Sequence, residues 1–316
     1  MCLALGLMKN ILISGGNGFL GSYLAEKALS LGMEVTVVDD MSTSRERNVP
    51  AEVIFRKESV EEYSDSERYD YVIHLAARPS PEDYITNPVS TIMSNSVGTM
   101  KMLDIALKSD AVFMYTSSSE VYGDSQVLPT PETYFGYVNP NGIRSCYDEG
   151  KRFSEALIMA YHRQYGLDTR IQRPFNVYGP RIREDGLYGR VIPRFIDQAL
   201  KNEDITVHGT GNQTRSFLYI DDWLEGTWKL LTGKDLGGNV LNIGASHEIT
   251  VMDLARLIKE MTGSNSNIVS IPPRDEDPRR RAADLTLAGK LLSWKPEREI
   301  RVGLENTIKW FRERMH

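Results

Sequence analysis

Short apolar runs and longer amphipathic stretches follow one another along the first half of the chain. The apolar runs have the length and composition of buried strands and lie at Lys9–Ser14, Glu34–Val38, Val53–Arg56, Tyr71–Leu75 and Ala111–Tyr115. The two longest stretches with helical periodicity lie at 89–108 and 145–165. This alternation continues to Arg173 and indicates an α/β fold with a Rossmann-like, doubly wound parallel sheet.

The pattern changes in the second half of the chain, where helices alternate with shorter strands. The strands predicted there include ITVHG, TRSFLYI and NVLNIG. They indicate a smaller carboxyl-terminal α/β lobe that binds substrate. We therefore predict a Rossmann domain over residues 1–175 and a mainly substrate-binding lobe over residues 176–316, with a boundary at which segments can interleave.

A glycine-rich turn joins the first predicted strand to the first predicted helix. Gly15, Gly18 and Gly21 are spaced three apart, which permits a tight turn and a close approach of the backbone to a pyrophosphate. The strand Glu34–Val38 ends in Asp39, about 20 residues further on, where a carboxylate can accept from a ribose 2'-hydroxyl. Because that carboxylate would repel a 2'-phosphate, the pattern predicts NAD rather than NADP.

A tyrosine and a lysine share one face of the predicted helix at 145–165. Tyr147 and Lys151 are four residues apart, and a nearby cation favours the ionised form of a phenol whose ordinary pKa is about 10. Such a pair can supply a general base, although many exposed helical pairs have the same spacing. The run from Thr116 to Glu120 favours a catalytic role for this pair, because it places hydroxyls and a carboxylate at the carboxyl end of a strand, where ligands bind.

Composition excludes several classes of partner. The 316 residues carry a net charge of -6 and no long basic run, which argues against nucleic acid. No apolar run reaches the roughly 18 residues of a membrane span, and the amino end has no cationic region typical of a signal peptide. Two cysteines, Cys2 and Cys146, cannot make a disulfide framework, which fits a reducing cytoplasm. The histidines and cysteines show no metal-ligand spacing, so we predict no metal.

Several segments taken together resemble the extended short-chain dehydrogenase/reductase superfamily, the NAD-dependent epimerases and dehydratases that modify nucleotide-activated sugars. The resemblance covers nearly the whole chain, from GGNGFLG to EDPRRRAADLTLAGKLLSWKP. Within it, SEVYGD and VNPNGIRSCYDEGKR are similar almost residue for residue to the UDP-glucuronate decarboxylases. This resemblance implies NAD-dependent conversion of UDP-glucuronate to UDP-xylose through a 4-keto intermediate, with internal recycling of NAD+, by a homodimer.

The resemblance also implies roles for single residues. Tyr147 removes the proton from the sugar 4-hydroxyl, with Ser118 as a relay, while Lys151 lowers the tyrosine pKa and holds the nicotinamide ribose. Glu120 and Arg281 assist decarboxylation and reprotonation of carbon 5. The implied NAD contacts are Gly15, Gly18, Phe19, Leu20, Gly21, Asp39, Ser59, Val60, Leu75, Ala76, Ala77, Tyr147 and Lys151. The implied substrate contacts are Ser118, Ser119, Glu120, Tyr147, Asn176, Arg215 and Arg281, of which the last three hold the diphosphate.

Two other activities and one inactive role remain open on this sequence. A nucleotide-sugar 4,6-dehydratase typically has an Asp-Glu pair where this chain has Ser119 and Glu120. A 4-epimerase usually has a small or hydroxyl side chain at position 120. Both comparisons favour decarboxylation. A protein that only senses dinucleotide would have lost the catalytic set, yet Ser118, Tyr147 and Lys151 are present.

The chain departs from the family pattern at three positions. Ser118 stands where the decarboxylases usually have threonine, and Ser59 where the superfamily usually has an aspartate that contacts adenine. Arg78 replaces an apolar residue in the proline-rich segment Arg78–Pro88, which we predict to be a loop that covers the sugar. Arg78 could pair there with a glucuronate carboxylate. Cys146 adjoins Tyr147, and we expect it to have a packing role.

Overall fold

Strands and helices alternate along the chain, which is described here by a computed structural model over residues 8–44, 46–184, 189–273 and 279–315. The strands of these residues are β1 (Asn10–Ser14), β2 (Glu34–Val38), β3 (Ile54–Arg56), β4 (Tyr71–His74), β5 (Val112–Thr116), β6 (Thr169–Pro174), β7 (Val177–Tyr178), β8 (Ile205–His208), β9 (Thr214–Ser216), β10 (Leu218–Tyr219), β11 (Asn239–Ile243), β12 (Glu248–Thr250), β13 (Ile268–Ile271) and β14 (Arg280–Arg281). The helices are α1 (Phe19–Ser30), α2 (Pro81–Thr86), α3 (Pro88–Ser109), α4 (Ser145–Tyr165), α5 (Val191–Leu200), α6 (Ile220–Thr232), α7 (Val251–Thr262), α8 (Thr286–Leu292) and α9 (Ile300–Arg314).

The central sheet has seven strands in the order β11-β6-β5-β4-β1-β2-β3. Every neighbouring pair in it is parallel, which confirms the predicted doubly wound α/β fold. The five strands predicted in the first half of the chain all form here, with bounds within one residue of the prediction. Strand order reverses between β1 and β4, and this switch point is where open α/β sheets bind ligands, at the carboxyl ends of the strands.

One predicted strand was assigned to the wrong region. NVLNIG was placed in the smaller lobe, but β11 pairs with β6 and forms the edge of the central sheet. An apolar run shows that a strand is buried but not which neighbour covers it, and this strand lies far along the chain from the other six. The division of the chain into domains therefore stays a prediction, with the second half contributing to both regions.

The prediction of a loop over Arg78–Pro88 is wrong, because the segment contains the helix α2. Pro81 stands in the first turn of α2, where its missing N–H removes no helical hydrogen bond. Glu82 and Asp83 follow in the same turn, at the end of the helix that favours negative charge. The proline and acidic residues that were interpreted as a loop are here the start of a short helix.

The described residues of the second half form three small sheets, β10-β7, β12-β9-β14 and β13-β8. It shares a hydrophobic core with the central sheet, since Ile11 and Val37 belong to the same buried cluster as Phe195, Trp223 and Leu254. The two regions are thus packed together on a common core, and residues from both can meet at one site.

Helices α3 and α4 are the longest in the described part of the chain, with 22 and 21 residues, and they pack side by side. The amino-terminal part of α4 also packs against a short 3-10 turn, Ser119–Tyr122, that follows β5. This brings the Tyr147 helix against the end of a central strand. Within the ranges described above, no helix combines the length and the apolar character needed to cross a membrane.

Candidate active site

A cavity of about 840 Å³ opens at the carboxyl ends of the central strands. Residues that follow β1, β2, β4 and β5 line it together with residues from the second half of the chain. All the predicted site residues lie on its wall except Ser59, whose hydroxyl donates to Glu61 Oε2 at 2.7 Å. Val60 and Glu61 line the cavity in its neighbourhood, so the structure does not bring the Ser59 side chain to the predicted adenine position.

The glycine turn leaves room for a ligand group close to the backbone. Gly15 has φ of +69°, and a Cβ there would stand 2.6 Å from the Ala76 nitrogen. Gly18 is the N-cap of α1 and provides no side-chain cap, and Gly18, Phe19 and Leu20 all line the cavity. A helix amino end with uncapped N–H groups favours an anion, so this half of the cavity fits a dinucleotide pyrophosphate.

Backbone amides hold Asp39 in a fixed orientation. Its Oδ2 accepts from the Asn17 amide at 2.9 Å and its Oδ1 accepts from the Met41 amide at 2.8 Å. Burial raises the pKa of Asp39, and these two hydrogen bonds oppose the rise. The carboxylate lies on the cavity wall at the end of β2, the place from which a ribose hydroxyl would be recognised.

Helix α4 presents Tyr147 and Lys151 to the cavity, where β5 ends. Lys151 Nζ donates to the Thr116 carbonyl oxygen at 2.8 Å and lies 5.8 Å from the centre of the Tyr147 ring. The Tyr84 ring stacks on the Tyr147 ring, with centres 5.5 Å apart. Ser118, on the same wall, accepts from the Glu120 amide at 3.2 Å. The predicted base, its lysine and its relay are therefore brought together.

The pKa of Tyr147 differs from the expectation. Burial raises this pKa above its ordinary value, and the hydrogen bond with Ser118 opposes the rise only in part. Burial also lowers the pKa of Lys151 to about 7, opposed by the Glu155 carboxylate. In the chain alone, Lys151 thus does not give Tyr147 a lowered pKa, because burial outweighs the charges around it. A further positive charge in the cavity would favour the phenolate.

Two arginines hold the carboxylate of Glu120. Arg281 donates to both carboxylate oxygens, with 2.9 Å between its Nη2 and Oε2, and Arg144 Nη2 also donates to Oε2. Burial alone would raise the pKa of Glu120, but Arg144 and Arg281 hold it below its usual range. Glu120 is therefore an ionised acceptor at neutral pH.

The predicted phosphate ligands lie side by side. Strands β9 and β14 pair in parallel, and their register sets Arg281 opposite Arg215. Arg215 is mostly buried and donates to the Thr214 carbonyl oxygen at 2.8 Å. Asn176, which has φ of +42°, donates from Nδ2 to the Ser216 carbonyl oxygen at 2.9 Å. All three residues belong to the second half of the chain and line the cavity.

Among the cavity residues that were not predicted, two contact predicted catalytic residues: Tyr84 contacts Tyr147, and Arg144 contacts Glu120. Tyr84 belongs to α2, and its contact with Tyr147 depends on tertiary packing that no local pattern shows. Arg144 stands three residues before Tyr147 in VNPNGIRSCYDEGKR, on the same helical face. That spacing is the signal that could have identified it.

Cys146 has the contacts of a packing residue. Its Sγ contacts the Tyr84 carbonyl oxygen at 3.6 Å, and burial raises the pKa of the thiol. A raised pKa disfavours the thiolate that a nucleophile requires. Cys2 lies outside the described residues.

Comparisons with known proteins agree with this geometry. The sequence model described as "NAD dependent epimerase/dehydratase family" matches residues 11–244. UDP-glucuronic acid decarboxylase 2 of Arabidopsis thaliana is 42% identical over 99% of this chain and 71% of its own length. Among solved structures, a UDP-glucose 4-epimerase from Thermotoga maritima, crystallised with UDP-glucose, has a TM-score of 0.90 at 32% identity and covers 97% of this chain and 100% of its own.

A second solved structure is that of a UDP-glucuronic acid 4-epimerase from Bacillus cereus, a tyrosine-to-phenylalanine mutant in complex with UDP-4-deoxy-4-fluoro-glucuronic acid and NAD. Its TM-score is 0.87 at 27% identity, and the similarity covers 96% of this chain and 99% of that one. The fold is thus similar to that of epimerases, whereas the decarboxylase matches this sequence at higher identity.

Proposed function

This chain belongs to the NAD dependent epimerase/dehydratase family, and we propose that within it the protein is an NAD-dependent decarboxylase that converts UDP-glucuronate to UDP-xylose. The observation that carries the proposal is the ionised Glu120, held between Arg144 and Arg281 on the wall that also presents Tyr147. Relatives named UDP-glucuronic acid decarboxylase, from a plant and from a frog, are 42% and 40% identical over almost all of the chain.

The first step is oxidation of the sugar at carbon 4, for which the chain supplies a base. Tyr147 takes the proton of the 4-hydroxyl, and Ser118 relays it. In its protonated form Lys151 has three N–H donors and uses one of them on Thr116, which leaves two for the nicotinamide ribose. NAD+, when bound, supplies the reversible hydride acceptor and the positive charge that the Tyr147 phenolate needs.

Decarboxylation follows because the 4-ketone turns the uronate into a β-keto acid. The bond from carbon 5 to the carboxylate breaks, its electron pair enters the enolate, and carbon dioxide leaves. Glu120 is ionised by its two arginines, so in that state it accepts hydrogen bonds and does not deliver the proton to carbon 5. We assign Glu120 and Arg281 to orientation of the reacting end of the sugar. The enolate then takes up a proton at carbon 5 from solvent water, which gives the 4-keto pentose. Return of the hydride to carbon 4, and of the Tyr147 proton to the 4-oxygen, completes the pentose without net oxidation.

The diphosphate of the substrate is assigned to the arginines and the amide beside β9 and β14. Arg281 has both terminal nitrogens on Glu120, whereas Arg215 is placed next to it by strand register. A guanidinium donates two parallel hydrogen bonds to a phosphate. We therefore assign the main phosphate contact to Arg215, with Asn176 and Arg281 in support.

Epimerisation at carbon 4 is the competing activity, since solved epimerases share the fold. An epimerase transfers hydride at carbon 4 and leaves carbon 5 intact. No step of that reaction requires the Glu120 carboxylate that Arg144 and Arg281 hold. A 4,6-dehydratase must protonate a departing 6-hydroxyl, and Ser119 stands where such enzymes have aspartate. The charge arrangement around Glu120 therefore favours decarboxylation.

The test is incubation of the purified protein with NAD+ and UDP-glucuronate while the anomeric proton signals are followed by NMR. The signals of UDP-xylose, with release of carbon dioxide, are the expected result. Appearance of UDP-galacturonate would replace the proposal by a 4-epimerase. An unchanged spectrum would reject UDP-glucuronate as the substrate.

Assembly and location are further proposals. We propose a homodimer formed through α3 and α4, because Val89, Met93 and Met100 are exposed at helical spacing on α3 and Phe153 is exposed on α4. Light scattering that gave the mass of one chain at micromolar concentration would reject the dimer. The low cysteine content supports a reducing compartment, and we propose the cytoplasm.

A further inference from the structure

Arg144 stands between two carboxylates on the wall of the cavity. Its Nη2 donates to Glu120 Oε2, and its Nε lies 3.7 Å from Asp148 Oδ2. Its guanidinium carbon is 5.8 Å from the centre of the Tyr84 ring, which in turn stacks on Tyr147. Contacts from α2, α4 and the turn after β5 thus fix the position of this one side chain.

The start of α4 accounts for this placement. Arg144 is the N-cap of the helix, three residues before Tyr147 and four before Asp148, so the three side chains share one face. Asp148 is buried, and its Oδ1 has no hydrogen-bond partner among the described residues. Burial raises the pKa of Asp148, Glu120 adds to the rise, and Arg144 opposes it. Arg144 is therefore a counter-ion shared by Asp148 and Glu120.

Glu120 Oε2 is the atom at which the two arginines converge. It accepts from Arg281 Nη2 at 2.9 Å and from Arg144 Nη2, while Oε1 accepts from Arg281 Nη1. Arg281 comes from β14, far along the chain, and Arg144 comes from the helix of the predicted base. Because Arg144 is on the same helix as Tyr147, it fixes the position of the Glu120 carboxylate relative to Tyr147.

We propose that Arg144 is a positioning residue for the decarboxylation step, which holds the Glu120 carboxylate in a fixed orientation toward carbon 5 of the sugar. The inference rests on the proposed function, since it assigns Arg144 to one step of that reaction. Asp148 holds the Nε side of the guanidinium and so supports the same arrangement.

The experiment compares three variants with the wild-type holoenzyme. Arg144→Met removes the charge, Arg144→Lys keeps it without the planar fork, and Arg163→Met is the control, because Arg163 is an exposed arginine of the same helix. Two rates are measured with UDP-glucuronate: NADH formation in a single turnover, which reports oxidation at carbon 4, and release of carbon dioxide. NAD binding is measured for each variant to show that it is folded.

Arg144→Met should slow carbon dioxide release by roughly 10- to 100-fold, the effect typical of a lost charge-assisted hydrogen bond. Oxidation at carbon 4 should change by less than about threefold, because the hydrogen bonds of Lys151 and Ser118 do not involve Arg144. Arg144→Lys should recover part of the loss, since a lysine restores charge but donates from a single point. Arg163→Met should match the wild type in both rates.

The pH profile separates positioning from a merely structural role. Loss of one cation lets the pKa of Glu120 rise, so the acid limb of carbon dioxide release should move to higher pH in Arg144→Met and return toward the wild-type position in Arg144→Lys. The charged and titratable groups that face Glu120 are Tyr84, Arg144, Tyr147, Asp148, Arg215 and Arg281. Of these, only Arg144 is changed in the experiment.

Equal loss of both rates with an unmoved acid limb would overturn the proposal, as would wild-type behaviour of Arg144→Met. If Arg144→Met does not bind NAD, Arg144→Lys decides: wild-type rates and an unchanged acid limb in that variant would also overturn it. Failure of the proposed function is a different result, because the wild type would then release no carbon dioxide from UDP-glucuronate.

Discussion

The two halves of the cavity are formed by different kinds of groups, one mainly by backbone and the other by charged side chains. The half beneath the glycine turn is made largely of backbone: close approach at Gly15, the amino end of α1, and the amides that orient Asp39. The opposite half is made of long charged side chains, in which Glu120 meets Arg144 and Arg281. Backbone sites are fixed as soon as the strand and helix form, whereas a cluster of side chains requires several distant segments to be in place.

This difference assigns separate tasks to the two halves. A site formed by backbone amides and an amide-oriented carboxylate binds the same cofactor whatever the sugar chemistry. The charged half decides what happens to the 4-ketone, because it holds a fixed carboxylate and its arginines close to the sugar. Substitutions in one half should therefore affect cofactor binding, and those in the other should affect the reaction outcome.

Tyr147 lies where the two halves meet, and its loss should have the largest effect. We expect Tyr147→Phe to lower turnover by about 10²- to 10⁴-fold, the range of a lost general base, while the protein still folds and binds NAD. The phenylalanine keeps the stacking with Tyr84, so the packing around α4 is preserved. Turnover is measured as carbon dioxide release and NAD binding by calorimetry. Retained activity would mean that Tyr147 is not the base.

The charged half is tested by Glu120→Gln. A neutral amide keeps the shape but loses the charge-assisted hydrogen bonds to Arg144 and Arg281, and carbon dioxide release should fall by roughly 10- to 100-fold. Oxidation at carbon 4, followed by nicotinamide absorbance in a single turnover, should fall less. If both steps lost the same factor, the task assigned to Glu120 would be wrong.

The sequence predicted the backbone half more completely than the charged half, for a physical reason. The glycine turn and Asp39 belong to one strand-turn-helix-strand unit, so their spacing in the chain fixes their spacing in space. Arg144 reaches Glu120, and Tyr84 reaches Tyr147, only through tertiary packing, and both were missed. The altered pKa of Tyr147 was missed likewise, because burial depends on the whole fold.

The backbone half is tested by two glycine substitutions that impose the same kind of backbone strain. Gly15 and Gly32 have φ of +69° and +74°, so alanine at either position costs about 1–2 kcal/mol of conformational strain. A Cβ at Gly15 would also stand 2.6 Å from the Ala76 nitrogen, whereas a Cβ at Gly32 would have no atom of the described residues within 4 Å apart from Gly32 and its two chain neighbours. Gly15→Ala should thus weaken NAD binding about tenfold through the added overpacking, while Gly32→Ala leaves it unchanged.

Calorimetric titration with NAD measures both dissociation constants, and thermal unfolding measures the strain that the two variants share. Equal affinities in Gly15→Ala and Gly32→Ala would show that the close approach at Gly15 does not shape the cofactor site. A loss of affinity in both would point to strain in α1, which lies between the two glycines, as its cause.

Arg78 lies on the border of the two halves and should have the smallest effect. The expectation that it pairs with the glucuronate carboxylate is weakened by its contacts: its Nε donates to Ser90 Oγ at 3.2 Å, and its Nη2 lies 4.0 Å from Asp40 Oδ2, on the cofactor side. Exposed ion pairs are worth about 0–1 kcal/mol, so Arg78→Ala should change NAD affinity by no more than about fivefold and leave the KM for UDP-glucuronate nearly unchanged. A tenfold rise in that KM at constant NAD affinity would instead assign Arg78 to the sugar carboxylate. The charged half of the cavity would then include the residues between β4 and α2.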